Sequence, residues 1–499
     1  MSDPDAAPVL VERILPASPV ATLDDYLAAG GGRALDAARR VEPEALIAEV
    51  EAAGLRGRGG AGFPTGTKWR TVAANRSPDV PTTVVVNAAE GEPGTYKDRT
   101  LLRRDPYAVL EGALIARLAV GAGDVVVALK DREPAERERV EQAIAEMRKA
   151  DLLDGVDVSV VLGPHEYLFG EETALLEVVD GRAPLPRIAP PYRRGVIEVV
   201  EHDDDVDAAS GVSAHVEMAG PGHETAAPPA LVDNVETLAN VARIIAEGAD
   251  WFRALGTDGS PGTIICTVTG DVVRPGVGEV PLGTTVRQAI DAIAGGPDAE
   301  HPVKAVLNGV SAAPLPATSL DTPLTYEDMA GVGSGLGTAS LIVVGEGTDM
   351  TAVAAGVARF LAVESCGQCT PCKADGLTLA DALDRLCAGT GSRDDLDTAT
   401  AALTTIADGA RCNLASQQQA VVGPILAGWD DEVVRRATGA AESVTPVLIA
   451  EVVGIDVEGD VTLDEGRRTK QPDWTHDERW SGSYPADELG DHASRHEID

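Results

Sequence analysis

Three cysteines, Cys366, Cys369 and Cys372, stand at C-x2-C-x2-C spacing in the stretch Glu364-Ser-Cys-Gly-Gln-Cys-Thr-Pro-Cys372, and a fourth, Cys412, follows far downstream. The chain has only six cysteines in 499 residues, so three in one short loop are not incidental packing. A tight loop of three thiolates closed by a remote fourth is how proteins hold the corners of a [4Fe–4S] cube. Gly367 and Pro371 supply the turns that aim the sulfurs inward. Zinc is the rival ligand, although structural zinc usually takes two separated pairs of ligands. A disulfide reading fares worst, because residues 1–16 carry acids where a secretory leader has a basic start and an apolar core. Cys387 ends the apolar helical face of Leu379, Leu383 and Leu386, and Cys266 falls in a strand-like run, so both read as core.

A second constellation is Gly54-Leu-Arg-Gly-Arg-Gly-Gly-Ala-Gly-Phe-Pro-Thr-Gly-Thr-Lys-Trp69. Glycine lets the backbone approach a phosphate and turn its N–H groups toward it. Arg56, Arg58 and Lys68 bring positive charge to a chain of formal net charge −39. The run from Gly57 to Gly62 fits G-x-G-x-x-G, but a helix precedes it where a Rossmann turn would have a strand. The stretch therefore reads as an anion- or nucleotide-binding loop of another fold, against the rival of a flexible surface loop. Two further polar loops leave strand ends, Asn87 to Arg99 and His165 to Thr173, where ligands bind in layered α/β sheets.

These residues need elements to position them. Strands are predicted at 81–86, 124–130 and 156–162, with helices at 43–53, 105–120 and 134–150 between them. That alternation indicates a parallel α/β-layered sheet. An acidic Gly/Pro/Ala-rich insertion at 201–229 reads as a surface excursion. From Pro261 short strands around one helix predict a small β-grasp-like domain. From Thr351 apolar residues at helical spacing (Val353, Val357, Leu361) predict a four-helix bundle around the cysteines. The boundaries expected are an N-terminal extension 1–40, an α/β domain 41–257, the β-grasp domain 258–345, the bundle 346–439, and a polar, partly disordered tail 440–499. A short β-like run at 446–453 is the one patterned piece of that tail.

Composition narrows the partners. Eighty acidic residues against 41 basic ones argue against nucleic acid and against docking on an anionic lipid surface. No run is apolar enough to span a membrane, so a cytoplasmic protein is expected, peripheral to a membrane only through partners.

In their order along the chain, the Gly54–Trp69 loop, the Asn87–Arg99 loop, Tyr167 to Glu172 with Asn234-Val-Glu-Thr237, and the cysteine loop with Cys412 resemble the family of the NADH-binding 51 kDa (F) subunit of respiratory complex I. Relatives of that family serve hydrogenases and formate dehydrogenases. The resemblance covers about residues 40–430. It implies a non-Rossmann α/β domain for FMN and NADH, a soluble-ligand-binding β-grasp domain and a helical bundle with one [4Fe–4S] cluster. It implies that Gly57, Arg58, Gly59, Gly60 and Lys68 surround the flavin phosphate and ring edge. Asn87, Glu90, Tyr167, Gly170, Glu171 and Asn234 would also contact the flavin. Phe63 would stack on the adenine, and Glu92 and Glu172 would line the NADH side as the catalytic pair. Cys366, Cys369, Cys372 and Cys412 would hold the cluster. The implied partners are a small thioredoxin-like [2Fe–2S] subunit and a larger iron–sulfur subunit. The chain departs from the family pattern at Ala89 (usually Asp), at Ala189 (usually Lys) and near Thr71, where a second aromatic is usual. Each loss removes about 1–2 kcal/mol from nucleotide binding. The alternative reading is an iron–sulfur relay or assembly subunit without a productive NADH site.

Overall fold

The β-branched run Thr83–Asn87 forms the inner strand of a parallel sheet. It pairs with Asp124–Lys130 on one side and Ala230–Asn234 on the other, and Asp157–Gly163 adds to the outside of Asp124–Lys130. The structure is a computed structural model that describes residues 9–77, 79–188, 192–193, 198–201, 213–216 and 227–493. Most of the acidic 201–229 insertion and Ala189 lie outside the described residues.

The register sets Asn87 beside Asn234 at the carboxyl edge of two neighbouring strands. Both chain segments leave the sheet there, which is where a parallel sheet presents its ligand loops. Helices Pro106–Val120 and Val235–Glu247 cover one face and pack directly on each other. Gly112 allows this, since a Cβ there would overlap the Leu238 carbonyl. Ile14, Leu15, Leu23, Tyr26 and Leu35 are buried in this same core, so the expected N-terminal extension is part of the layer rather than an appendage.

The helix Pro43–Ala53 starts with proline in its first turn and stops at Gly54, whose φ of 70° only glycine adopts cheaply. The chain then runs through the Gly-rich loop into a helix, Thr65–Ala74, so Lys68 and Trp69 stand on a helix and not in the loop. A five-stranded sheet follows, in the order 315–316, 303–308, 340–345, 263–270, 276–281. It is mixed: Ser340–Gly345 runs parallel to Thr263–Gly270 and antiparallel to Val303–Asn308. The helix Val286–Ala294 packs on it through Val286, Ala289 and Ile290. Cys266 is fully buried in that core, as the sequence suggests.

Helices Met350–Glu364, Thr370–Cys387, Arg393–Thr405 and Leu414–Gly428 form the third unit, with a short Asp430–Ala437 added. The cysteine loop is the turn between the first two. Cys369 is the N-cap of the second helix, with proline in its first turn, and Cys372 lies in that turn. Cys387 is fully buried on the apolar face.

The expected tail is a correction. Residues 444–484 do not trail into solvent: Glu451, Arg467, Lys470 and Asp473 are buried, and a small ribbon pairs Val452–Ile455 with Val461–Leu463. The β-like run predicted at 446–453 is a strand only from Val452 on; before it, Val447 N donates to the Ala352 carbonyl and the Glu451 carbonyl accepts from Asp464 N. Pattern reading missed this packing because charged side chains carry it, without apolar periodicity. Residues 494–499 lie outside the described residues.

Candidate functional site

A cavity of about 650 Å³ opens at the carboxyl edge of the parallel sheet. Its walls come from all three units. The Gly-rich loop gives Gly57, Gly59, Gly60 and Phe63, and the sheet edge gives Asn87, Glu90, Glu92 and Asn234. The unit built on the five-stranded mixed sheet gives Ser311, Tyr326 and Thr338, and the helical unit gives Cys412, Leu414 and Gln417. The size suits a nucleotide-type ligand. Gly60 has φ of +118°, so the loop's curvature is open to glycine and strained for any other residue.

Most of the expected contact residues meet here. Asn87 donates from Nδ2 to the Gly170 carbonyl at 2.9 Å, fixing the two loops together. Asn234 caps the helix after it through Oδ1 and donates from Nδ2 to Asp98 at 2.6 Å. Glu171 caps the helix Glu172–Val179, accepting from Thr173 N and Ala174 N. Glu90 is buried and accepts from the backbone of Asp98 and from Arg99 Nε. Lys68 donates to the Val232 carbonyl at 2.6 Å and pairs with Glu172 at 2.8 Å. Burial works against the Lys68 ammonium, but Glu172 and Asp233 raise its pKa above the ordinary lysine value. Phe63 is 54% exposed at the cavity wall, available to stack on a flat ring. Ala89 is buried at the same wall.

Glu92 and Tyr167 form a buried pair. The Tyr167 hydroxyl donates to Glu92 Oε2 at 2.6 Å and accepts from Gln417 Nε2 at 2.8 Å, while Val310 N donates to Glu92 Oε1 at 2.7 Å. Burial pushes the Glu92 carboxyl up despite these bonds.

Arg58 is a correction. Its side chain is 1% exposed and absent from the cavity wall. It donates to the Thr263 carbonyl at 3.0 Å and to the Tyr326 hydroxyl at 3.1 Å, and lies 3.9 Å from Glu236. The guanidinium therefore braces the Gly-rich loop against the unit of the five-stranded sheet instead of reaching a phosphate. Sequence reasoning also passed over Lys97, a fully buried cation on the cavity wall. It is paired with Asp98 at 2.7 Å and Glu236 at 2.9 Å. A lysine opening the polar helix Lys97–Arg104 gives no sequence signal of such burial.

The four cysteines line a second, smaller cavity with Leu168, Pro186, Ser365, Ala410, Arg411, Leu414 and Ala415. Burial pushes the thiols of Cys366, Cys372 and Cys412 up, Cys372 to about 11. Four thiolates in such surroundings need the compensating charge of a metal centre, which deprotonates its coordinating thiols. The four cysteines line one cavity, the arrangement that would hold the corners of a cluster. Leu168, Cys412 and Leu414 border both cavities, so the two sites share a wall.

Comparison with known proteins agrees with this geometry. Residues 50–243 match the Nuo51 FMN-binding domain, 352–436 the NADH-ubiquinone oxidoreductase-F iron-sulfur binding region, and 265–311 the SLBB domain. The chain is 36% identical over 386 residues to the NADH-quinone oxidoreductase F-subunit 2 of Rhizobium meliloti (strain 1021), covering 75% of this chain and 85% of that protein. The chain belongs to the family of NADH-quinone oxidoreductase F subunits. It is thus an NADH dehydrogenase subunit with an FMN site and a [4Fe–4S] site. A hydrogenase branch is similar too. The HndC subunit of the NADP-reducing hydrogenase of Solidesulfovibrio fructosivorans is 34% identical over 418 residues, 82% of this chain and 79% of that one. A crystal structure of NAD+-reducing [NiFe]-hydrogenase in the H2-reduced state superposes with a TM-score of 0.70 at 31% identity, covering 83% of this chain and 66% of that one.

The cavities fit the two groups. The larger has a glycine-lined wall for close backbone approach and the volume for a flavin nucleotide. The smaller gathers four soft ligands and an apolar surround.

Proposed function

We propose that this chain is the electron-input subunit of a multi-subunit oxidoreductase, oxidising NADH in the larger cavity and passing electrons through the smaller one to a partner. The observation that carries the reading is the shared wall of Leu168, Cys412 and Leu414 between the two cavities. Cys412, the proposed cluster ligand, itself lines the larger cavity, so only this one wall separates the two sites. Bound FMN supplies the chemistry that makes this useful, taking two electrons together and giving them up singly.

The chain's own residues have distinct tasks. Gly57, Gly59 and Gly60 let the backbone meet the flavin nucleotide, and Lys68 offers its charge. Asn87, Glu90, Gly170, Glu171 and Asn234 fix the loops that surround the ring. Phe63 covers the adenine. Glu92 and Glu172 face the nicotinamide nucleotide, Glu92 held by Tyr167 and Val310. Cys366, Cys369, Cys372 and Cys412 hold the cluster. The onward partners are iron–sulfur subunits, a small thioredoxin-like [2Fe–2S] protein and a larger one, of a quinone-reducing, hydrogenase or formate dehydrogenase complex. Among the described residues no helix is long and apolar enough to cross a membrane, so attachment to a membrane complex would run through those partners.

A second reading, a relay without a productive NADH site, rests on Ala89, which gives the cavity wall a methyl where the family usually has a carboxylate. The anaerobic visible spectrum and iron analysis test the first reading. A flavin band, a broad iron–sulfur shoulder and about four iron and four sulfide per chain are expected. Zinc in place of iron, or a colourless protein, would refute it.

A further inference from the structure

The segment 444–484 lies beyond the stretch matched to the iron–sulfur family model, which ends at residue 436. It nevertheless buries charged groups that would be costly to leave unpaired. Arg467 Nη1 donates to Glu364 Oε1, and its Nη2 donates to Glu451 at 2.7 Å and to the His165 carbonyl at 3.0 Å. Lys470 Nζ donates to Glu364 at 2.6 Å and to Glu166. Trp474 Nε1 donates to the Val363 carbonyl at 3.1 Å, and just beyond the segment Ala486 N donates to the Cys366 carbonyl at 2.8 Å.

Of these acceptors Cys366 lines the smaller cavity itself, and His165, Glu166, Val363 and Glu364 stand within three residues of the wall residues Tyr167 and Cys366. Glu364 stands two residues before Cys366, and its other oxygen accepts from Tyr167 N at 2.9 Å. On the flavin side, Glu451 pairs with Lys130 at 2.8 Å, and this pair packs directly against Gly91 in the cavity wall. A Cβ on Gly91 would come within 2.6 Å of Lys130 Nζ and 3.5 Å of Glu451 Oε1. One late segment thus backs the wall at Gly91 through Lys130, holds His165 and Glu166 just ahead of Tyr167, and holds Glu364 in the lead-in to the cysteine loop.

We infer that residues 444–484 form a strap that sets the relative position of the two sites, with Arg467 and Lys470 as its positioning residues. This rests on the reading above, in which FMN and the cluster fill the two cavities. The step affected moves one electron from reduced FMN to the oxidised cluster, with no bond made or broken, so its rate depends on placement. Fork-shaped and point-charge donors on one carboxylate hold direction as well as distance, which an apolar contact does not.

The test uses the full chain with both groups bound. FMN and iron are counted, then bound FMN is photoreduced by a laser flash in the presence of a sacrificial donor, and the cluster's reduction is followed optically. NADH is not needed. A wild-type protein lacking FMN or iron would contradict the functional reading itself. A wild type with both groups but normal electron transfer in the variants would contradict the strap alone. Arg467→Gln is expected to keep FMN and iron while slowing cluster reduction several-fold, since the rate of electron transfer between two held groups falls steeply with their separation. Arg467→Lys should slow it less. Should Arg467→Gln fail to fold, Arg467→Lys and Trp474→Phe decide, the latter removing the bond to the Val363 carbonyl while keeping an aromatic ring against the core. Wild-type rates in both would overturn the inference.

Discussion

Gly59 separates ligand contact from backbone need more cleanly than its neighbours do. It is not in the positive-φ region, and a Cβ added there meets nothing closer than Asn234 Cβ at 3.4 Å, an ordinary contact. Alanine at this position therefore fits the cofactor-free protein, and should even stabilise it by about 0.4–1 kcal/mol by restricting the unfolded chain. The loop lines the cavity, so the same methyl stands where the flavin nucleotide must touch the backbone. Crowding a well-packed contact by one carbon costs about 1–3 kcal/mol. That is about a 5- to 150-fold weaker FMN dissociation constant. Gly60→Ala is the contrasting variant, because φ of +118° strains any side chain with or without ligand. Flavin-depleted protein is titrated with FMN by fluorescence quenching, and the same preparation is melted. Gly59→Ala should lose affinity while its melting temperature holds or rises slightly, whereas Gly60→Ala should lose both. An unchanged FMN affinity in Gly59→Ala would refute the assignment of this loop to the flavin.

Other variants probe the remaining sites. Cys412→Ser should lose the cluster, and Cys387→Ser and Cys266→Ser, both fully buried in apolar cores, should keep it; iron analysis showing the reverse would overturn the ligand set. Glu172→Gln should raise relative efficiency with NADPH, since one charge at about 4 Å is worth about 4 kcal/mol at an effective dielectric near 20. Lys68, 2.8 Å from Glu172, is then freed for a 2′-phosphate. The gain should shrink in concentrated salt, and equal NADPH:NADH ratios in variant and wild type at low salt would contradict it. Glu133 gives a pH prediction. Burial pushes its carboxyl up to about 8, against the pull of Arg99 and Lys130. The folded state then holds a proton that the unfolded state has released, so this group's contribution to stability falls as pH rises from about 4.3 to about 8. Glu133→Gln should flatten that decline in thermal melts. A variant with the wild-type slope would show that Glu133 ionises normally.

What the sequence revealed and what it hid have physical reasons. The cysteine loop and the glycine run are legible because their chemistry demands residue types at fixed local spacing. The parallel sheet is legible from valine-rich runs such as Val84, Val85 and Val86. The direction of a long side chain is not local. Arg58 sits in a glycine run that suggests phosphate, yet the carbonyl of Thr263 and the hydroxyl of Tyr326, remote in sequence, capture it. Lys97 and Glu236 are buried only because they find each other across the fold. The strap escaped notice for the same reason. Its burial depends on Glu364, Glu166 and Lys130, and no window of residues 444–484 contains them. The contributions of Val310 and Gln417 to the Glu92–Tyr167 pair likewise come from other units.

Anaerobic stopped-flow mixing of the holoprotein with NADH tests the central claim most directly. The flavin absorbance is monitored near 450 nm, with the cluster's EPR signal recorded in samples frozen along the time course. The account predicts rapid bleaching of the flavin, followed by appearance of the reduced-cluster signal in the same molecules. A protein holding both FMN and cluster, whose flavin stays oxidised in about millimolar NADH, a level at the top of the usual KM range, would contradict it.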